Sequence, residues 1–162
     1  MLKISRKMSV TLSIAITYIC IAVLIFVSAT AWNYIEVFFP GSKVAPHTAV
    51  ILFTYAETFF AFIAAFLLLF LLKSIKKDIV FVQKNVSYIR SISWLCFIEA
   101  LLFAAEGSVY YGLIEKAVGR ELFFAVFLVI AFACAFLGII VRVVKNIIEQ
   151  ATELKNENDY TI

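Results

Sequence analysis

A chain of 162 residues that is 64% hydrophobic and only 15% charged is excluded as a water-soluble single domain, because one core of that size cannot hide so much apolar surface. The net charge of +3 comes with no basic groove interleaved with aromatics, which argues against direct nucleic-acid binding. Lipid is the solvent this composition requires.

The first apolar run covers 8–37 and meets no charge before Glu36. A bilayer core needs about 20 consecutive apolar helical residues, so the run predicts a first membrane span. Lys3, Arg6 and Lys7 precede it. A second reading makes them the head of a signal peptide cleaved after Ala29-Thr30-Ala31. The apolar stretch is longer than the usual run of about 7–15 residues and continues to Phe39, which favours retention as an anchor. Cleavage would leave three spans.

Pro40, Gly41 and Pro46 predict a break before a second span over 48–72, whose one charge is Glu57. Over 73–87, Ile75, Ile79, Val82 and Val86 fall at helical spacing among Lys76, Lys77 and Lys84. That pattern predicts a helical extension at the headgroup level. The third span, 88–111, carries Arg90, Glu99 and Glu106, and Gly112 and Gly119 bracket the next connection. The fourth, 122–141, has no charged residue. Residues 142–162 are expected to continue as a cytoplasmic helical tail. Its apolar stripe of Val144, Ile147, Ile148, Ala151 and Leu154 is expected to pack on the middle connection or the membrane surface rather than on a dedicated partner.

Spans of this length exclude barrel strands, which are about 9–11 residues long and alternate polar with apolar. Short connections make neighbouring helices antiparallel. Eleven of the 14 Lys and Arg residues lie before the first span, around the middle connection or after the fourth span, and such residues stay on the cytoplasmic side. Trp32, Tyr34, Tyr110 and Tyr111 would mark the outer interface, Tyr88 and Trp94 the inner one. The expected fold is therefore all-α: an integral membrane, antiparallel four-helix bundle with both termini inside, multi-pass. The bilayer is its first partner, and a homo-oligomer is compatible with such a bundle.

Chemistry is sparse. Cys20, Cys96 and Cys134 show no paired spacing, and His47 is the only histidine. No metal-ligand set, phosphate loop or nucleophile motif is present, so neither a cofactor nor an enzymatic activity is expected. The candidate ligand- or proton-binding residues are Glu57, Glu99 and Glu106. Glu99 and Glu106 are seven residues apart and share a helix face. A carboxylate at membrane depth costs at least about 2.5 kcal/mol, so it normally turns toward the bundle interior. Counting inward from the outer ends puts Glu57 and Glu106 at comparable depth, where they could share a proton or a cation. One reading is a polar pocket completed by Tyr55, Ser108 and Tyr110. The other is that protonated glutamates hold helices together by hydrogen bonds. The sequence leaves both open.

Two segments carry a resemblance. Phe81-Val82-Gln83-Lys84-Asn85-Val86, followed by Ile89-Arg90, resembles the Pro-Phe-x-x-Glu-Asn-Val-x-x-Leu-Arg segment that opens the third helix in the YoaS-like family of small bacterial four-helix membrane proteins. The closing residues, Glu153-Leu154-Lys155-Asn156-Glu157-Asn158-Asp159-Tyr160-Thr161-Ile162, resemble that family's Leu-x-x-Glu-Asn-Asp-Leu-Thr-Ile ending. Val80, Lys84 and Tyr160 depart from the pattern. The resemblance implies no activity and no catalytic residues. It implies partnership with a small helix-turn-helix regulator, hence a non-enzymatic membrane sensor or anti-regulator. The rival expectation is a small transporter or proton-coupled carrier working through the three glutamates.

Overall fold

The computed structural model describes the backbone of residues 6–38, 44–77, 82–113 and 120–160, with side chains over 7–30, 48–77, 82–112 and 121–155 and at 157. It consists of four helices: α1 (Arg6–Phe38), α2 (Val44–Lys76), α3 (Gln83–Leu113) and α4 (Arg120–Tyr160). Each contains a stretch long and apolar enough to cross a membrane. The expectations placed on Pro40, Gly41, Ile79, Phe81, Gly119 and the closing Thr161-Ile162 lie outside the described residues, as do the side chains of Trp32, Tyr34 and His47.

Helix ends differ from the expected breaks in instructive ways. Pro46 does not interrupt the chain, because α2 already begins at Val44. It occupies the first turn, where a missing N–H leaves no helical bond unmade. Of the helical extension expected over 73–87, residues 78–81 lie outside the described ones, and the rest is not a helix of its own. Instead α2 runs on to Lys76 and closes in a turn in which the Lys77 N–H donates to the Ser74 carbonyl at 3.1 Å. The chain re-enters a helix at Gln83, with the Asn85 N–H donating to the Val82 carbonyl at 2.9 Å. Ile75 thus belongs to α2 and Val86 to α3. Val86 is fully buried, so the period that looked interfacial belongs to two helix ends packing inward.

The helices follow one another as a meander. Close backbone approaches join α1 to α2, α2 to α3 and α3 to α4, and none is found between α1 and α4 among the described residues. The expected bundle is therefore open, with α1 leaning on α2 alone. The tightest pair is α3 with α4, and small residues explain it, because they let helix backbones come close. A Cβ added at Gly107 would lie 2.8 Å from the Phe127 Cβ, and one at Gly138 would lie 3.2 Å from the Cys96 Cβ. Beside Gly138, the buried Ser93 hydroxyl donates to the Gly138 carbonyl at 2.9 Å.

Other hydroxyls are satisfied within their own helices. Thr17 donates to the Ser13 carbonyl at 2.8 Å and Thr58 to the Thr54 carbonyl at 2.6 Å. Bonding back one turn lets a hydroxyl sit on an apolar helix without an unmet donor.

α4 continues unbroken for 41 residues, so 142–160 extends the fourth helix without a hinge. Part of the expected stripe packs as expected, with Val144 and Ile148 against the end of α2 and the start of α3. Thr152 is buried and Ile148 half-buried, whereas Ile147 and Leu154 are about 60% exposed. Ile148 joins Ile75 of α2 and Asn85 of α3 in an apolar groove of about 250 Å³. The Arg90 guanidinium of α3 reaches Glu149 at 3.1 Å, and Glu149 also pairs with Lys145 one turn back. Both the ion pairs and the apolar groove thus tie this part of α4 to its neighbours.

Candidate functional site

Glu99 and Glu106 project from one face of α3 and are both buried, Glu106 with only 4% of its surface exposed. Glu57, half-buried on α2, lies close enough to the Glu106 carboxyl to interact with it. The expected level match of these two residues across antiparallel helices is therefore seen. Ionised carboxylates only accept hydrogen bonds, so a hydrogen bond between the two would need a proton on one of them.

Glu99 lies two turns along α3 from Glu106, within electrostatic reach of Glu57, Cys96 and Cys134. The Oε1 atoms of Glu57 and Glu99 are buried with no hydrogen-bond partner. An unpaired polar atom in an apolar interior carries a penalty of about 1–3 kcal/mol, which makes these two oxygens the least satisfied points of the described helices. The site is thus a line of three carboxyls between α2 and α3, with Cys134 of α4 beside the innermost.

Aromatic rings pack next to it. Tyr110, one turn beyond Glu106, is buried with its ring centroid 5.4 Å from that of Phe123 and 6.3 Å from that of Phe127. The wider polar pocket is not assembled as expected. Tyr55 is 45% exposed, because two residues along a helix turn a side chain well away from Glu57. Ser108 is exposed and donates to the Ala104 carbonyl at 2.8 Å. Of the three polar companions only Tyr110 lies inside.

Sequence reasoning also missed the two cysteines. Cys96 and Cys134 stand 38 positions apart with no motif joining them, and both thiols are free. Cys96 stands three residues before Glu99 on α3 and shares its side of the helix by spacing alone, whereas the close α3–α4 packing at Gly138 brings Cys134 toward them. A small residue three or four places from a cysteine on an apolar helix was the available signal. No group of three His, Cys, Asp or Glu side chains among the described residues is arranged to hold a metal ion. The chemistry such a site can perform is to hold, share or release a proton.

The chain belongs to the family described as Protein of unknown function (DUF2975), whose pattern matches residues 5–162. No curated protein and no solved structure matches it.

Proposed function

We propose that this member of the DUF2975 family is a non-enzymatic membrane sensor of the bacterial cytoplasmic membrane, of the YoaS-like kind. Its input is the carboxyl line Glu57, Glu106 and Glu99, and its output is the helical tail, which engages a cytoplasmic helix-turn-helix regulator. The observation that carries this reading is the pair of buried, partnerless carboxyl oxygens at Glu57 and Glu99, beside a helix that runs unbroken to Tyr160. A group that gains or loses a proton there changes what packs between α2, α3 and α4. Without a hinge in α4, that change reaches 142–160 as a tilt or rotation of one rod. The Arg90–Glu149 pair ties the rod to α3 and gives the two arrangements a contact to exchange.

The carrier reading draws on the same three glutamates. Carriers place their sites at discontinuous helices, whereas the four described helices are continuous through their apolar stretches, so the sensor ranks first.

Two measurements test the proposal. Deleting 156–162 should leave the protein in the membrane, since the four apolar stretches do not need it, and should change expression of the protein's own operon. Unchanged transcripts with the truncated protein still inserted would sink the signalling tail. The orientation rests on the charge asymmetry. In intact cells an impermeant thiol reagent should label Ser42→Cys and Gly119→Cys but not Lys77→Cys or Asn158→Cys. External labelling of either of the latter two would reverse the topology and take the tail out of the cytoplasm.

A further inference from the structure

Where α2 ends and α3 begins, Lys73, Lys77 and Lys84 open onto one cavity of about 390 Å³, which Ser74, Asn85 and Tyr88 also line. That volume falls in the usual range of small-ligand sites, about 300–1,000 Å³. All three lysines are exposed. No carboxylate lines the cavity among the described residues, and neither described ion pair, Arg90–Glu149 or Lys145–Glu149, uses these lysines. Across 73–88 the sequence sets four lysines against the single Asp78.

The lysines are held in place by aromatic faces. The Lys84 ammonium lies 5.9 Å from the Tyr88 ring centroid, and that of Lys73 lies 5.9 Å from the Tyr18 ring of α1. Tyr88 stacks in turn on Phe70, with centroids 6.1 Å apart. Like charges gathered around one space repel unless an anion joins them. The cavity also has a definite height in the molecule. Lys73 is the first charge after the apolar stretch of α2, which places the three ammonium groups where a bilayer's hydrocarbon gives way to its headgroups.

We propose that this cavity binds the phosphate-bearing headgroup of an anionic phospholipid. The phosphate sits among the three ammonium groups, and the exposed ring of Phe70 meets the glycerol and the first methylenes. Basic recesses between membrane helices serve this chemistry elsewhere. The inference rests on the chain spanning a membrane and is independent of the carboxyl site and the tail.

The test is native mass spectrometry of the full chain released from detergent with either phosphatidylglycerol or phosphatidylcholine. Phosphatidylglycerol should be retained in preference. Retention should fall by about fivefold for each lysine changed to Gln, the effect of one basic charge at an anionic membrane surface. The triple Lys73→Arg, Lys77→Arg, Lys84→Arg variant should bind like the wild type, and Lys7→Gln with Lys155→Gln should change little. If the triple Gln variant does not fold, single Lys84→Gln decides the matter. Equal retention of the two lipids, or undiminished phosphatidylglycerol binding in the Gln variants, would overturn the proposal. So would its displacement by inorganic phosphate or glycerol phosphate at matching concentration, which would mark a site for a soluble anion.

Discussion

Gly107→Ala should lower the thermal stability of the detergent-purified protein, and Gly112→Ala, five residues on, should not. The contrast isolates packing from helix propensity. In a helix interior Ala is favoured over Gly by up to about 1 kcal/mol, so propensity alone would raise both melting temperatures. At Gly112 nothing lies within 4 Å of the added methyl, and the propensity gain, reduced by closeness to the helix end, stands unopposed. At Gly107 the new Cβ would sit 2.8 Å from the Cβ of Phe127. That atom is fixed to the α4 backbone, so a rotamer change cannot relieve the clash and the helices must separate. Overpacking of this kind costs about 1–3 kcal/mol, enough to cancel the propensity gain and leave a net loss on the order of 1 kcal/mol. Gly107→Val, with more bulk at the same point, should lose about 3 kcal/mol. The check is a thermal scan of all three variants. Equal melting temperatures for Gly107→Ala and Gly112→Ala would show that α3 and α4 are not in close contact at Phe127.

That contact illustrates what could and could not be read from the chain. The four apolar stretches were legible because a bilayer imposes a length and a composition that no other solvent rewards. The meeting of Glu57 and Glu106 was legible for a related reason. Spans that cross one bilayer have their depths set by counting inward from their outer ends. What counting cannot supply is rotation about the helix axis. In an apolar helix most faces are equally greasy, so no amphipathic stripe reveals which one turns inward. Tyr55 and Ser108 were therefore grouped with the glutamates by depth, yet they face out. The tail stripe was legible only in part, Val144 and Ile148 packing on the α2–α3 junction and Ile147 and Leu154 staying exposed. Arg90 and Lys145 converge on Glu149, which the apolar pattern did not show. The open arrangement of the helices was likewise beyond reach, since short loops specify which helices are consecutive but not whether the first and last meet. Gly107 and Gly138 were the missing clue, as they mark where α3 and α4 come closest.

The glutamates themselves yield the most discriminating expectation. If the Glu57–Glu106 contact is purely structural, Gln at either position should be tolerated, because an amide supplies both a donor and an acceptor to the remaining carboxyl. Leu at either position should then cost on the order of 1 kcal/mol for the lost interhelical bond, with a further penalty for leaving the other carboxyl buried and unpaired. If the pair is the proton site of a sensor, the outcome separates from stability. Withdrawing the shared proton replaces a hydrogen bond by two adjacent negative charges, so wild-type stability should fall on the alkaline side of that transition. Both Gln variants should lose the transition while remaining folded, and with it the response of the operon. Glu99, Cys96, Cys134 and Tyr110 are the other titratable groups packed near the pair, so the measurement needs Glu99→Gln beside the other two. We expect the alkaline transition to vanish in Glu57→Gln and Glu106→Gln and to persist, displaced, in Glu99→Gln, because the proposed shared proton lies between the first two. Melting temperature against pH for the wild type and the three variants decides it. A transition unchanged in both Glu57→Gln and Glu106→Gln would remove the pair as the titrating site. A transition abolished only in Glu99→Gln would move the input two turns along α3, to the carboxyl within electrostatic reach of Cys134.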